Sequence, residues 1–523
     1  MNRTFRTALL ICAAILPAAA HGETLAAAIA HAYHDNPTLQ GARYDLSASD
    51  ERIVQALSEL RPTASFQATG GYERTQLGRI SQLDNPFTPA LVSESNNQTE
   101  LTIDQPLLTG GRATADRLVA EAGVRGQREQ LRISEGDLLL AIVTAYVDVR
   151  RYAATRDIWA ANVQEIEVLT KEIRARRTAG ELTLTDVAQA DSQLEAARAQ
   201  VISADDDLES ARADYAALVG SMPGTLDAPP PLPGLPGDAG AAYALAERDN
   251  PDLAQARYVE LASRDSVDSA RAAGQPTVSL RAMAVLSGQA IPYRFPDQDR
   301  DVTGSVVLSV PLSAGGLIAS QVRQARDQDD SDRVKIEATR RALARNVANA
   351  WNGMVAAKRG LAVYVAQRAA AATQLDGMIN EYRVGLRSTF DLLYAQQSLH
   401  NVDVSELGAA RDLYVAEATL LRRTGALEVH ALLSGVPLYD ATDHIRQVEN
   451  RNALPWDRAV AALDHIAAPA SHGHVLAGPL VATDPGIANV PVAAPPDPDF
   501  TRAQPVAPIP GTTASDPHQG RSF

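Results

Sequence analysis

The chain has 523 residues, a net charge of -15, 5% aromatic residues and a single cysteine. The acidic surplus argues against nucleic acid as a partner, because phosphate binding needs clustered positive charge. Sparse aromatics argue against a large monomeric porin with full aromatic girdles, and Cys12 alone allows no disulfide and no thiolate metal site.

Residues 1–22 read as a signal peptide: Arg3 and Arg6 lead into an apolar run, and small residues before Ala20 or Gly22 suit cleavage. After it no run approaches the ~18–20 apolar residues of a membrane helix, so any membrane insertion has to use strands. A helix is predicted from Asn36-Pro37, where Asn caps and Pro takes the first helical position, and it stops before Pro62. A β-hairpin follows over residues 63–106. Ala64, Phe66 and Ala68 alternate there with Ser65, Gln67 and Thr69, then Leu101 and Ile103 with Glu100, Thr102 and Asp104, around a loop at Asn85-Pro86. Period-two alternation of this length marks strands with one lipid face and one watery face. Gly110-Gly111 reads as a strand-to-helix corner, since it lacks the Lys-Ser/Thr of a phosphate loop. No proline occurs from Leu107 to Met222, and apolar residues recur at helical spacing. A helix over residues 112–177 would be ~100 Å long. It turns at Thr178-Ala179-Gly180 and returns as a second helix, closing a helical hairpin over residues 112–220.

Residues 223–237 are rich in Pro and Gly and read as a linker. The pattern then starts again. Asn250-Pro251-Asp252-Leu253 repeats Asn36-Pro37-Thr38-Leu39 at an offset of 214, and Gly315-Gly316 repeats Gly110-Gly111 at an offset of 205. Gly385, Asp391 and Leu399 then match Gly180, Asp186 and Leu194 at the same 205. Two similar repeats are therefore expected, over residues 23–222 and 238–439. The second contains a β-hairpin over residues 277–310 and a helical hairpin over residues 317–434. Residues 440–523, with frequent proline towards the end, are predicted to be a disordered or loosely extended tail.

Four membrane strands cannot close a barrel, and free edges in lipid leave backbone groups unpaired. A dimer's eight strands would fill their own lumen with side chains, whereas a trimer's twelve leave a channel. Long amphipathic helices likewise need neighbours. The predicted fold is mainly α with membrane β: a two-fold repeat of helical hairpins and β-hairpins, pooled in a homotrimer into a 12-stranded barrel on an α-helical tunnel.

In order and duplication, the Asn-Pro-x-Leu segments, Gln105-Pro106-Leu107, Val310-Pro311-Leu312 and the turn Tyr382-Arg383-Val384-Gly385-Leu386-Arg387-Ser388 resemble the TolC family of outer-membrane efflux and type I secretion proteins. The resemblance covers residues 23–439. It implies an outer-membrane duct extending into the periplasm, docked by a periplasmic adaptor and an inner-membrane ABC or RND pump. It also implies a gate at the periplasmic tips. Tyr382 and Arg387 of the second hairpin would bond to Thr185 and Asp186 of the first. Asp391 would supply a ring of carboxylates at the constriction, while Tyr394 stands where a second acidic ring often lies. Taken alone, Asp186 and Asp391 also suit the positive end of a helix dipole, and Gly180 and Gly385 suit helix C-caps.

The turn sequence favours type I protein secretion, with a multidrug efflux duct as the alternative. A pore-less periplasmic coiled-coil scaffold is the remote alternative, disfavoured by the four alternating strands. No Gly-x-Ser-x-Gly elbow, His-Glu-x-x-His or nucleotide fingerprint occurs, so neither an enzyme nor a cofactor is expected. His472 and His474 read as solvated histidines of the tail.

Overall fold

The structure is a computed structural model that describes residues 22–76, 91–291, 293–433, 438–449, 451 and 453–467. The signal segment, the Asn85-Pro86 loop, Pro292 and the tail beyond residue 467, with His472 and His474, lie outside the described residues.

The first repeat comprises α1 (Leu25–Asp35), α2 (Pro37–Ser58), β1 (Thr63–Gln76), β2 (Leu91–Leu108), α3 (Arg112–Thr178) and α4 (Leu184–Val219). The second comprises α5 (Ala239–Asp249), α6 (Pro251–Ala272), β3 (Thr277–Gln289), β4 (Asp299–Ser309), α7 (Leu317–Arg383) and α8 (Thr389–Thr424). Three short helices follow: α9 (Val429–Leu432), α10 (Asp443–Val448) and α11 (Asp457–Ala467). Among the described residues no helix is long and apolar enough to cross a membrane.

The four strands form one antiparallel sheet in the order β1-β2-β3-β4. The register aligns Phe66 with Leu101, Leu101 with Ala284, and Ala284 with Val302. Side chains alternate across a strand, so that row shares a face with Ala64, Ile103, Ala282, Leu280 and Val306. The opposite face carries Gln67, Glu100 and Asp301, with Asp104 beside Arg281. The apolar face is bare in the protomer: Phe66 is 70% exposed and Val302 83%. Both outer strands also have an unpaired edge within the protomer. Apolar burial stabilises at roughly 25 cal/mol per Å², so a face this open requires a covering phase.

Helices extend the sheet in the same lateral order. α2 packs on α3, α3 on α6 and α6 on α7, matching β1 to β4. The strand-to-helix corners are the expected Gly pairs, with φ of 70° and 83° at Gly110 and Gly111, and 58° and 86° at Gly315 and Gly316. Left-handed backbone of this kind suits Gly, which has no Cβ to clash.

The Asn-Pro motif has a double role. Asn36 Oδ1 accepts from the N–H groups of Thr38 and Leu39, capping α2, while its Nδ2 donates to the Leu218 carbonyl near the end of α4 (3.0 Å). Asn250 repeats this: Oδ1 accepts from Leu253 N–H (3.1 Å) and Nδ2 donates to the Arg423 carbonyl near the end of α8 (2.9 Å). Both asparagines are buried. One amide thus joins the N-terminus of a short upper helix to the C-terminus of the lower one. The opposed ends of their dipoles also attract. Beneath these joints a core of Leu25, Ile29, Ile142, Val143, Tyr146, Tyr215 and Leu421 packs α1, α3, α4 and α8 together.

Three features depart from the sequence reading. The helix expected from Asn36-Pro37 is α2, but a further helix not expected from the sequence, α1, precedes it, capped by Thr24. The second helical hairpin ends at Thr424, because Gly425 turns left-handed (φ 80°) against Asp249, where a Cβ would lie 2.5 Å from its carbonyl oxygen. Residues 443–448 and 457–467, assigned to the tail, are helical and folded onto the first repeat. α10 lies on α2, where His444 Nδ1 is 3.2 Å from buried Asp50. α11 brings Asp464, fully buried, to the 109–111 corner. Asp464 Oδ1 accepts from Thr109 N–H (2.6 Å), the Thr109 hydroxyl (2.9 Å) and Gly111 N–H (3.3 Å), and Oδ2 from the Thr114 hydroxyl (3.2 Å). Gly111 has no side chain to cap α3, so the Thr109 hydroxyl accepts from Ala113 N–H (3.1 Å), and Asp464 holds that hydroxyl in place.

Two tests follow from this geometry. Asn250→Ala removes a cap and a buried donor, each contributing about 1 kcal/mol. It should lower the unfolding midpoint in detergent, and Asn250→Ser, which restores only the cap acceptor, should recover part of the loss. Gly425→Ala should destabilise more than Gly220→Ala. Both positions have positive φ, costing about 1–2 kcal/mol for a Cβ, but only at Gly425 would the added Cβ meet backbone.

Candidate gate and constriction

The far ends of the helical hairpins are two turns of near-identical construction. In the first, Gly180 (φ 84°) lets Gly180 N–H donate to the Arg177 carbonyl (2.9 Å) and Glu181 N–H to the Arg176 carbonyl (3.0 Å). In the second, Gly385 (φ 78°) lets Gly385 N–H reach the Tyr382 carbonyl (3.0 Å) and Leu386 N–H the Glu381 carbonyl (2.9 Å). This paired bonding closes a helix C-terminus on a left-handed glycine.

Each return helix then opens with a capping box. Asp186 Oδ2 accepts from Thr183 N–H (2.8 Å) and the Thr183 hydroxyl (2.7 Å), and Asp186 N–H donates back to that hydroxyl (3.3 Å). Asp391 does the same with Ser388, at 3.1, 2.8 and 3.2 Å. Backbone and hydroxyl donors from Thr183 hold the Asp186 carboxyl below the ordinary carboxylate range. The Ser388 hydroxyl and N–H do so for Asp391.

The other sequence-chosen residues are dispersed around these caps. Tyr382 is buried among Ile166, Leu169, Ile173, Val187 and Ala190, so it does pack the second hairpin onto the first. Its hydroxyl has no hydrogen-bond partner in the protomer, and the Arg176 guanidinium lies over its ring at 5.1 Å. Arg387 differs from expectation: its Nε donates to Glu381 Oε2 (2.6 Å) within its own hairpin. Asp186 is occupied by its cap and Thr185 is exposed, so the expected bonds from Tyr382 and Arg387 to these two residues are not formed in the protomer. Tyr394, one turn beyond Asp391, is exposed and stacks on Phe390, with ring centroids 6.3 Å apart.

Sequence reasoning missed Glu381 and Phe390. Glu381 lies six residues before Arg387, a spacing that becomes close only once Gly385 reverses the chain. It also missed the links that run up α8 to α3. His400 Nε2 lies 3.1 Å from Glu165, Arg411 makes a two-pronged bond to Asp148 (2.7 and 2.9 Å), and buried Arg422 donates to Asp137 (2.7 Å). The α8 members recur every 11 residues, three helical turns, which puts them on one face.

With that geometry established, comparison with known proteins places the chain. The family model described as outer membrane efflux protein matches residues 28–221 and 242–426, one match for each repeat. The chain belongs to the outer membrane efflux protein family. It is 31% identical over 436 residues to outer membrane efflux protein BepC of Brucella suis biovar 1 (strain 1330), covering 83% of this chain and 92% of the relative. It is 23% identical to proteases secretion protein PrtF of Dickeya chrysanthemi, over 71% of this chain and 81% of that one. In fold it is similar to the Campylobacter jejuni CmeC outer membrane channel, with a TM-score of 0.67 at 14% identity, covering 83% and 90% of the two chains. The TolC-type resemblance, the helix-rich fold class of long helical hairpins with a small sheet and an outer-membrane location extending into the periplasm are thereby borne out. The protein is an outer-membrane channel of an efflux or secretion system.

A lowered carboxyl pKa stabilises the fold above the ordinary value of 3.8 and is lost as pH falls through the lowered one. Hydrogen exchange at the amides of Thr183, Asp186, Ser388 and Asp391 should therefore stay slow, relative to intrinsic rates, from neutral pH down to about 4 and quicken only below it. Asp391→Asn should remove that acid transition at the second tip alone.

Proposed function

We propose that this protein is the passive exit duct of a tripartite export system: a homotrimer in outer-membrane lipid, met at its periplasmic end by an adaptor protein and served by an inner-membrane ABC or RND pump. The observation that carries this reading is the sheet. Its one bare apolar face, polar opposite face and two unpaired edges call for lipid outside, water inside and other protomers alongside. No catalytic constellation is needed, because the pump supplies the work.

The tips are the gate in this reading. Tyr382, wedged against the first hairpin with a free hydroxyl, and Arg387, held by Glu381 in the protomer, are the groups available to re-pair between hairpins or protomers. Thr185 and Asp186, in the first turn of the opposing return helix, are the acceptors in this reading. Three copies of Asp391, kept ionised by Ser388, would favour cations at the constriction, with the exposed Phe390–Tyr394 stack beside them. In planar bilayers, Asp391→Asn should lower cation preference without changing the trimer. Arg387→Ala should raise conductance if it helps close the tip, and unchanged conductance would remove it from the gate.

For cargo, the turn around Gly385 favours type I protein secretion, and the similarity to a proteases secretion protein supports that reading. The efflux name of the 31%-identical relative supports small-molecule export instead. Deleting the gene separates them. Loss of one or a few proteins from the culture medium without lysis means protein secretion. An unchanged medium with lowered tolerance of toxic compounds means efflux.

A further inference from the structure

At the joint between sheet and tube, α11 lies across the wall. At its start Asp457 pairs with Arg61 (3.2 Å), beside edge strand β1, and towards its other end Asp464 is latched to the 109–111 corner between β2 and α3. Val460 packs with Leu60 and Ala113 between these anchors. The helix therefore runs inward from the edge of the protomer, leaving Trp456, 49% exposed, at the edge end and Leu463 exposed on its outer side. The matching corner of the second repeat is bare. Val310, Leu312 and Leu317 are exposed, Leu312 by 93%, and residues 310–317 include no charged group.

In a ring closed by pairing β4 with β1 of the next protomer, these features become neighbours. Helices follow strands in lateral order, so the β4–α7 corner of one copy comes beside the α2–β1 corner of the next. We propose that the segment ending in α11 is a seam clamp whose partner is a second copy of this chain. Its edge end, led by Trp456, packs onto the bare 310–317 corner of the adjacent protomer. Two exposed apolar surfaces at the same level of the wall, one on each side of the seam, stabilise each other by leaving water. Asp464 is then a positioning residue, fixing the helix that reaches across. The proposal rests on the trimeric reading, and the test separates the two.

In a Cys12→Ala background, Trp456→Cys and Leu312→Cys are combined, and the purified protein is treated with a short bifunctional maleimide. The expected result is loss of the monomer band on denaturing gels to covalent dimers and trimers, with neither single variant doing so. Adding Asp464→Ala should reduce the cross-linking while the native mass in detergent stays trimeric. A trimeric native mass without cross-links overturns the clamp. So does a trimer in which the thiol introduced by Trp456→Cys reacts only with a lipid-phase reagent, which would make lipid the occupant. A monomeric native mass overturns the trimeric reading itself.

Discussion

The wall of this molecule depends on one side-chain amide used twice. α3 and α7 each run 67 residues unbroken, yet their partners in the wall are interrupted, because α4 and α8 stop at Gly220 and Gly425. A helix end inside a wall leaves orphan carbonyls, and a helix start leaves orphan N–H groups. Asn36 and Asn250 satisfy some of both at once, accepting from the upper helix and donating to the lower. Serine or aspartate could cap, but an amide is the compact group with both an acceptor and donors. The proline beside it costs nothing, since the first N–H groups of a helix lack intrahelical partners. The interrupted column therefore packs beside the continuous one with end groups of both helices partnered at each break.

In the sheet the constraint is register. Because the side-chain period of a strand is two, a slip of one residue would exchange the apolar and acidic faces. The shared lateral order of strands and helices, together with the Gly-Gly corners, carries that register into the tube. Along the tube, the bonds from Arg411 and Arg422 to Asp148 and Asp137 keep α8 antiparallel to α3 with constant offset. At the tips the contact between the two hairpins becomes apolar, where Tyr382 packs with Ile166, Leu169 and Ile173 of the first.

Much of this was legible in the sequence because it is local or periodic. Strand alternation, the Asn-Pro caps, the Gly pairs at the corners and the tip glycines all declare themselves within a few residues, and duplication confirmed each against a second copy. What was not legible depends on distant partners. α11 is short, and the role of Asp464 in it is fixed by Thr109 and Gly111, more than 350 residues earlier. α1 was missed although Thr24 caps it, because the repeated Asn-Pro looked like the first start signal. Arg387 was expected to find an acid on the other hairpin, and instead finds Glu381 on its own, since the turn itself brings them together. Of the gate and constriction residues, the caps were visible as helix starts, while the burial of Tyr382 required the packed hairpins.

The main buried core contains no strand residue. The helices share a core within one protomer, whereas the sheet has no interior of its own, only a bare apolar face and two unpaired edges. In the trimeric reading, closing the sheet is the step that needs both lipid and other copies. A protomer that met the membrane alone would carry exposed strand edges, the standard template for edge-to-edge aggregation.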